Sequence, residues 1–538
     1  MTPTFIKNRA AAAIAAIVMT GCAAGPDFKR PDAPQASSYA PQPLPTTTAS
    51  ATGIAGAAQN FSAERDIPAE WWTAFQSPQL DSLIRKAFKA NPTVEAAHAA
   101  LRQAQETVYA QRGYFFPTLQ ASYSPARHKL SGNTGGNSPG LQGDSSVIST
   151  GQTNSTPSVS TPVIYNFHTA QLTVGYSVDV FGANRRQVES LEAQTEAQRL
   201  QYEATYITLA SNVVAAAIQE ASLRAQIGAT QKIIEGNTKS LEILRRQFQL
   251  GAISRLDVAA QETALAQSKQ LLPPLTKQLE QTRDLIRALV GNLPDEEVEE
   301  TFDLASLRLP EELPLSLPSR LVEQRPDIRA AEEQLHAATA QVGVAVAARL
   351  PQVSISADWG GNAAHLNQMF WSSGKFWDII GNITQPIFEG GTLLHRQRGA
   401  EEALRQAAAQ YRSTVLTAFQ NVADTLHALH ADADALQAAV DADDAAKLTL
   451  QVTRKQLEVG AVNYLALLNA ELAYQQTEIA LAQARATRLG DTAALFQALG
   501  GGWWNRKGEA TESMAEAEKR QGALSTLANQ IGVTNTAK

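Results

Sequence analysis

Arg245-Arg246-Gln247-Phe248-Gln249-Leu250-Gly251-Ala252-Ile253 is echoed in the second half of the chain by Arg454-Lys455-Gln456-Leu457-Glu458-Val459-Gly460-Ala461-Val462. Each stretch closes a long proline-free run at a glycine, and a new helix-forming segment begins a few residues later. The runs extend from Arg185 to Leu250 and from Gly391 to Val459. At 1.5 Å per residue, about 65 residues of helix would reach roughly 100 Å, against a mean globular helix of about 11 to 12 residues. The second run carries heptads. Val415, Val422, Leu429 and Leu436 fall at one seam position, and Phe419, Leu426, Ala433 and Val440 at the other. Such spacing needs a partner helix along its whole length. The chain restarts near Leu256 and near Tyr464, so each half is predicted to hold a coiled helical hairpin.

Upstream of each hairpin the echo continues. Asn91-Pro92-Thr93-Val94-Glu95-Ala96-Ala97 matches Arg325-Pro326-Asp327-Ile328-Arg329-Ala330-Ala331, and Phe116-Pro117 matches Leu350-Pro351. Near the ends of the halves, Ala288-Leu289 matches Ala498-Leu499. A correspondence persisting over so many residues indicates duplication. Each copy opens with a helix, from Pro78 to about Gly113 and from Pro318 to about Arg349. A pair of strands follows: Thr118 to Leu130 and Ile164 to Phe181, then Gln352 to Gly360 and Phe376 to Phe388. Leu172, Val174, Tyr176 and Val178 alternate with Thr173, Gly175, Ser177 and Asp179, as in a strand with unlike faces. Val353, Ile355 and Ala357 alternate with Ser354, Ser356 and Asp358 in the same way. Polar, glycine-rich loops lie near 131–162 and 361–374. Pro273-Pro274 predicts a kink or break in the helix that contains it.

The termini differ in kind from this core. Lys7 and Arg9, the apolar stretch Ala10 to Met19 and small residues before Cys22 read as an export signal, too short to span as a helix. Cys22 is the sole cysteine, which excludes a disulfide within one chain. Met19-Thr20-Gly21-Cys22 resembles a lipobox, with Cys22 as the lipid-bearing residue, and Ala23 in place of Asp favours the outer membrane. The predicted division is therefore 1–21 signal peptide, 22–68 lipidated tether, 69–310 first repeat, 311–504 second repeat and 505–538 polar tail. With 44% hydrophobic and 18% charged residues and a net charge of −7, the chain lacks the basic footprint of a nucleic-acid binder. It is also too apolar to be disordered. No run of about 18 apolar residues offers a transmembrane helix.

The strands decide the architecture. Membrane barrels need about eight strands or more, and an open sheet edge in lipid leaves backbone groups unpaired. Four strands per chain must therefore close with those of other copies, in a barrel of eight, twelve or sixteen. The expected fold is mixed α and β: long α-helical coiled hairpins, which need neighbours in the same way, with four strands per chain contributing to a transmembrane β-barrel.

Several motifs resemble the TolC family, specifically its NodT/OprM-like lipoprotein branch, over about residues 19 to 504. They are Gly25-Pro26-Asp27-Phe28-Lys29-Arg30-Pro31, Trp71-Trp72-Thr73-Ala74-Phe75, Leu80-Asp81-Ser82-Leu83-Ile84, Asn91-Pro92 and Leu271-Leu272-Pro273-Pro274-Leu275. The resemblance implies a homotrimer, with a twelve-stranded β-barrel in the outer membrane and the hairpins forming a periplasmic α-barrel of twelve helices. It implies the outer-membrane channel of a tripartite efflux system, passive itself, fed by an inner-membrane pump through a periplasmic adaptor. It also implies that the hairpin tips are adaptor-docking sites: Gly251, Ala252, Ile253, Ser254 and Asp257 on the first, Gly460, Ala461, Val462 and Asn463 on the second. Both glycines would in any case end helices in the left-handed conformation. Where related channels carry acidic residues that constrict the tunnel, this chain has Ala466 and Asn469; Leu468 and Asn469 are the candidate constriction.

Other candidates have plainer readings. His427 and His430 are three apart, a spacing able to share a metal, but no Cys or carboxylate completes a ligand set; they read as surface histidines, and no metal or cofactor is expected beyond the Cys22 lipid. Asp432, Asp434, Asp441, Asp443 and Asp444 read as a solvated face, with a cation-favouring lumen as the alternative. There is no P-loop, dinucleotide fingerprint or metalloprotease helix, and the chain is read as a conduit rather than an enzyme. The outlet of a protein secretion system is the alternative function.

Overall fold

The computed structural model describes residues 23–130 and 163–506, apart from residues 35, 37, 43, 63 and 64. The signal segment, Cys22, the first inter-strand loop (131–162) and the tail beyond 506 lie outside the described residues. Along the chain come β1 (Asn60–Ser62), α1 (Pro78–Ala90), α2 (Pro92–Arg112), β2 (Thr118–Leu130), β3 (Val163–Val178), α3 (Ala183–Gln249) and α4 (Arg255–Leu289). Then follow β4 (Glu312–Pro314), α5 (Pro318–Gln324), α6 (Pro326–Ala347), β5 (Gln352–Ala363), β6 (Lys375–Thr384), α7 (Thr392–Glu458) and α8 (Tyr464–Ala498). The two longest helices, α3 and α7, have 67 residues each, and their successors 35 each. None of these helices is apolar enough to cross a membrane.

Two sequence expectations are corrected. The opening helix of each half is two helices, broken at Asn91 and at Arg325. Both residues precede a proline and take extended backbone, with ψ of 121° and 123°. The proline ring clashes with a helical residue before it, so the helix must stop and restart. Conversely, Pro273-Pro274 does not interrupt α4, which runs through both. The carbonyls deprived of a donor belong to Lys269 and Gln270, which are exposed, and water can satisfy them.

The chain forms two compact units that interleave along the sequence. Residues within 1–29, 104–194 and 335–407 make one, and those within 30–103, 195–334 and 408–538 the other.

The first unit holds an antiparallel sheet in the order β2-β3-β5-β6. Its register lines up residues of one character. Leu119, Val174, Ala357 and Ile379 form one cross-strand row, and Ala121, Leu172, Trp359 and Trp377 the next. Rows of the opposite face hold Gln120, Thr173, Asp358 and Asp378, or Ser177, Ser354 and Asn382. The Thr173 hydroxyl donates to Asp358 on this polar face. Leu119, Trp359, Trp377, Ile379 and Ile383 stay exposed. The same unit seats the first described residues. The Ala24 N–H donates to the Phe181 carbonyl at 2.9 Å, and buried Arg186 donates to the Ala24 carbonyl and to Asp27. Phe28 stacks on His336 with ring centroids 4.4 Å apart. Gly25, at φ +90°, lies so close to Gly343 that a Cβ would meet its Cα at 2.4 Å.

The second unit contains the main apolar core, where Trp71, Phe75, Leu80, Leu83 and Ile84 pack with Phe302, Leu489 and Phe496. The seam residues of α7 behave as their spacing predicts: Val422, Leu429, Ala433 and Leu436 are fully buried. An arm formed by residues 46–61 folds back on itself, Phe61 donating to the Thr46 carbonyl and Thr48 to the Gln59 carbonyl. It ends in β1, which pairs in parallel with β4. Arg488 of α8 is completely buried beneath it and donates to the carbonyls of Ala49, Ala55 and Ala57 and to the Thr48 hydroxyl. The stretch read from sequence as an extended tether is thus held by a guanidinium whose planar fork reaches several acceptors at once.

Candidate functional site

Both hairpin turns lie in the second unit and are built alike. After α3, the Ala252 N–H donates to the Gln247 carbonyl at 2.9 Å and Gly251 to Phe248 at 3.0 Å. After α7, Ala461 donates to Gln456 at 2.8 Å and Gly460 to Leu457 at 3.0 Å. This paired pattern is the Schellman motif, and it requires a left-handed residue at the glycine. Gly251 and Gly460 have φ of +70° and +73°. A Cβ at either would meet nothing within 4 Å, so backbone conformation alone selects glycine here.

The restarting helices are capped from within the same short turns. Ser254 accepts from the Asp257 N–H while the Asp257 carboxylate accepts from the Ser254 N–H at 3.0 Å, a closed capping box. Asn463 accepts from the Ala466 N–H at 3.0 Å but has no reciprocal partner. Each hairpin is also bridged across its two helices, by Arg245–Glu262 at 2.9 Å and Arg454–Glu471 at 3.2 Å. Ala252, Ala461 and Asn463 are exposed, whereas Ile253 turns inward onto a cluster of Leu241, Leu244, Val258 and Leu265. Val462 is half-buried.

The two turns are tied together by a residue that the sequence reading did not single out. Tyr464 packs on the first hairpin's apolar cluster, and its hydroxyl donates to Gln261 Oε1 at 2.7 Å. Gln261 is fully buried and donates in turn to the Asn237 carbonyl, and Asn237 donates to Ser268 Oγ. Burial, with the carboxylate of Glu471 nearby, pushes the Tyr464 phenol up to about 12, so it stays a donor. Polar residues inside an otherwise apolar helix seam were the signal for this network.

The remaining candidates fall apart spatially. Leu468 is buried within the chain and Asn469 is exposed, so of the two only Asn469 presents its side chain at the surface. His427 is exposed, while His430 packs against the Phe61 ring at 5.4 Å between centroids. No group of three or more metal-ligating side chains occurs among the described residues. Asp434, Asp441 and Asp444 are exposed; Asp443 accepts from Thr477. Asp432 differs from them. Burial and the neighbouring carboxyl of Asp491 raise it to about 7, against the pull of Arg488.

Two hairpins of this length, with an antiparallel four-stranded sheet of unlike faces, are the architecture of a TolC-type channel subunit. The solved outer-membrane channel OprN matches with a TM-score of 0.76 and 27% identity, over 90% of this chain and 100% of that one. The pyoverdine export outer membrane protein OpmQ of Pseudomonas putida is 28% identical over 434 residues, covering 80% of this chain and 88% of that protein. The cation efflux system protein CusC of Escherichia coli is 27% identical over 495 residues, covering 91% and 97%. The model of the outer membrane efflux protein family matches residues 83–292 and 317–501, and the chain belongs to that family. The secretion-outlet alternative is not favoured by these relatives.

Proposed function

We propose that this protein is the outer-membrane channel of a tripartite efflux system, a passive conduit formed by three copies. The observation that carries the reading is the sheet. One face is mostly apolar and the other mostly polar, with Phe376 and Ile380 of β6 as apolar exceptions on the polar face and Lys375 as a charged one on the apolar face, and both outer strands, β2 and β6, offer a free edge among the described residues. In lipid such edges must be paired. Three copies with four strands each make a twelve-stranded barrel, within the range of closed membrane barrels. Its apolar face meets the acyl chains and its polar face lines the water path. The long hairpins of the three copies form a periplasmic α-barrel, shielding their seams against those of neighbouring copies.

In this reading Cys22 carries the lipid, the two hairpin turns receive a periplasmic adaptor, and an inner-membrane pump supplies the energy. In the same reading the exposed side chain of Asn469 lines a polar constriction. The relatives' names support export of small molecules or ions, and the cargo of this protein is of that class. The test is joint: mass in detergent and conductance in a planar bilayer. A trimer that conducts is expected. A well-folded monomer, or a trimer that leaves the bilayer sealed, overturns the proposal.

A further inference from the structure

The chain passes from a strand to a long helix twice in the first unit, and the two junctions are finished differently. At the first, Ala23 and Ala24 cover Phe181-Gly182: Phe181 is half-buried, Gly182 is buried, and its missing Cβ would meet Ala23 at 2.9 Å. At the second, between β6 and α7, no described residue covers the turn. Ile387 is 92% exposed and Phe388 is 88% exposed. They continue the exposed apolar residues of β6, Ile379 and Ile383. Beside them is a recess of about 280 Å³ bordered by Arg349 and Glu389. Arg349 is exposed and makes no ion pair among the described residues; its side chain donates to the neutral amide of Gln397. Gln385 donates to the Arg349 and Pro386 carbonyls, at 3.0 and 2.8 Å, and braces the rim.

Two bare apolar side chains beside an unpaired cation and an unpaired carboxylate suit an occupant that is apolar at one end and zwitterionic at the other. We propose that this junction binds a phospholipid with a primary-ammonium headgroup, phosphatidylethanolamine. The acyl chains lie on Ile387 and Phe388, the phosphate accepts hydrogen bonds from Arg349, and the ammonium donates to Glu389. The inference rests on the outer-membrane reading above. An anionic lipid would satisfy Arg349 but set its net charge against Glu389. A choline headgroup would bring a cation without N–H donors. The first junction has no such vacancy, because the chain's own residues cover it.

The experiment uses the full-length protein purified from outer membranes, stripped in detergent and offered mixed micelles of phosphatidylethanolamine, phosphatidylcholine or phosphatidylglycerol, with inorganic phosphate in parallel. Bound lipid is counted by native mass spectrometry. Retention of phosphatidylethanolamine above the other two is expected, with no binding of free phosphate. Charge-assisted hydrogen bonds are worth enough that Arg349→Gln should lower retention about tenfold. Phe388→Ser should lower it for all three lipids, and Glu389→Gln should abolish the preference over phosphatidylcholine. Unchanged retention in Arg349→Gln and Phe388→Ser overturns the proposal, as does a preference for phosphatidylglycerol. A photo-crosslinker at position 388 that captures a second copy instead of lipid also overturns it. Absence of the wild-type protein from the outer-membrane fraction would defeat the membrane reading; its presence there without bound phosphatidylethanolamine would defeat the lipid site alone.

Discussion

The two halves of the chain share helices of the same length and turns of the same geometry, yet they are fitted out differently. The first turn has a closed capping box, Ser254 with Asp257; the second has one cap, Asn463, and in compensation Tyr464, which reaches into the other hairpin. The first strand-to-helix junction is roofed by Ala23 and Ala24, and the second is bare among the described residues. Geometry that both halves need is kept in both, as at Gly251 and Gly460. Side chains that meet something outside the hairpin diverge, because each half meets a different neighbour.

The largest expected effect comes from the shared geometry. Valine at Gly251 or Gly460 must adopt a left-handed backbone, which costs about 1–2 kcal/mol at a single residue. With open space at both positions, the cost stays local to the turn. Gly251→Val and Gly460→Val should therefore give normal trimers, weakened crosslinking to the adaptor and efflux near background in a drug-susceptibility assay. Loss of the trimer would instead make the glycines purely structural; wild-type efflux in the double variant would remove the docking role.

Next is the junction contrast. Alanine at Gly182 puts a Cβ 2.9 Å from Ala23, whereas at Gly390 it meets nothing. Both glycines have positive φ, so backbone strain is common to the two and the clash is not. Gly182→Ala should expose the segment around Lys29 and Arg30 to trypsin, and Gly390→Ala should leave the digestion pattern unchanged. Equal patterns would show that the roof is not held by that contact.

A smaller effect separates the positions that follow the two turns. Tyr464→Phe strands the buried acceptor of Gln261 and should cost about 1–3 kcal/mol in denaturant unfolding. Arg255→Ala, at the corresponding exposed place in the first hairpin, should change stability by less than about 0.5 kcal/mol. Comparable losses in the two variants would mean that the second turn is not specially tied.

The smallest concerns pH. Asp432 sits at about 7 in the folded protein against an ordinary 3.8, so folding takes up a proton between those values. A raised folded pKa stabilises below the unfolded value, and that stability is lost as pH rises through the folded one. Thermal unfolding should thus show a stability that declines from about pH 4 to pH 7 and then levels. Asp432 is partly solvated, so the slope is shallow. Asp432→Asn should flatten it and exposed Asp434→Asn should not; the same slope in both variants would assign the effect elsewhere.

The helices, the strand pairs and the turn glycines were legible in the sequence, because each rests on a local period or a local φ requirement. Thr118 to Leu130 was placed to the residue, and the heptads of α7 are buried where their spacing put them. The breaks at Asn91 and Arg325 are also local, since each follows from the proline after it. What stayed hidden is non-local. Gly25-Pro26-Asp27-Phe28 stood out as a motif, but its meaning lies in Gly343, Arg186 and His336, far along the chain. Nothing near Thr48 announces Arg488, and nothing near Gln261 announces Tyr464. The buried place of Leu468 likewise depends on helix rotation within the packed hairpin, which neighbouring sequence does not specify.

The grip of Arg488 on the arm also has a bearing on time. Its acceptors lie 431 to 440 residues before it, so they are synthesised long before α8. Closing so long a loop has an entropic cost that only the finished helix repays. The arm can therefore fold on itself and meet β4 early, while the acceptors at Thr48, Ala49, Ala55 and Ala57 wait for their guanidinium until α8 has been made.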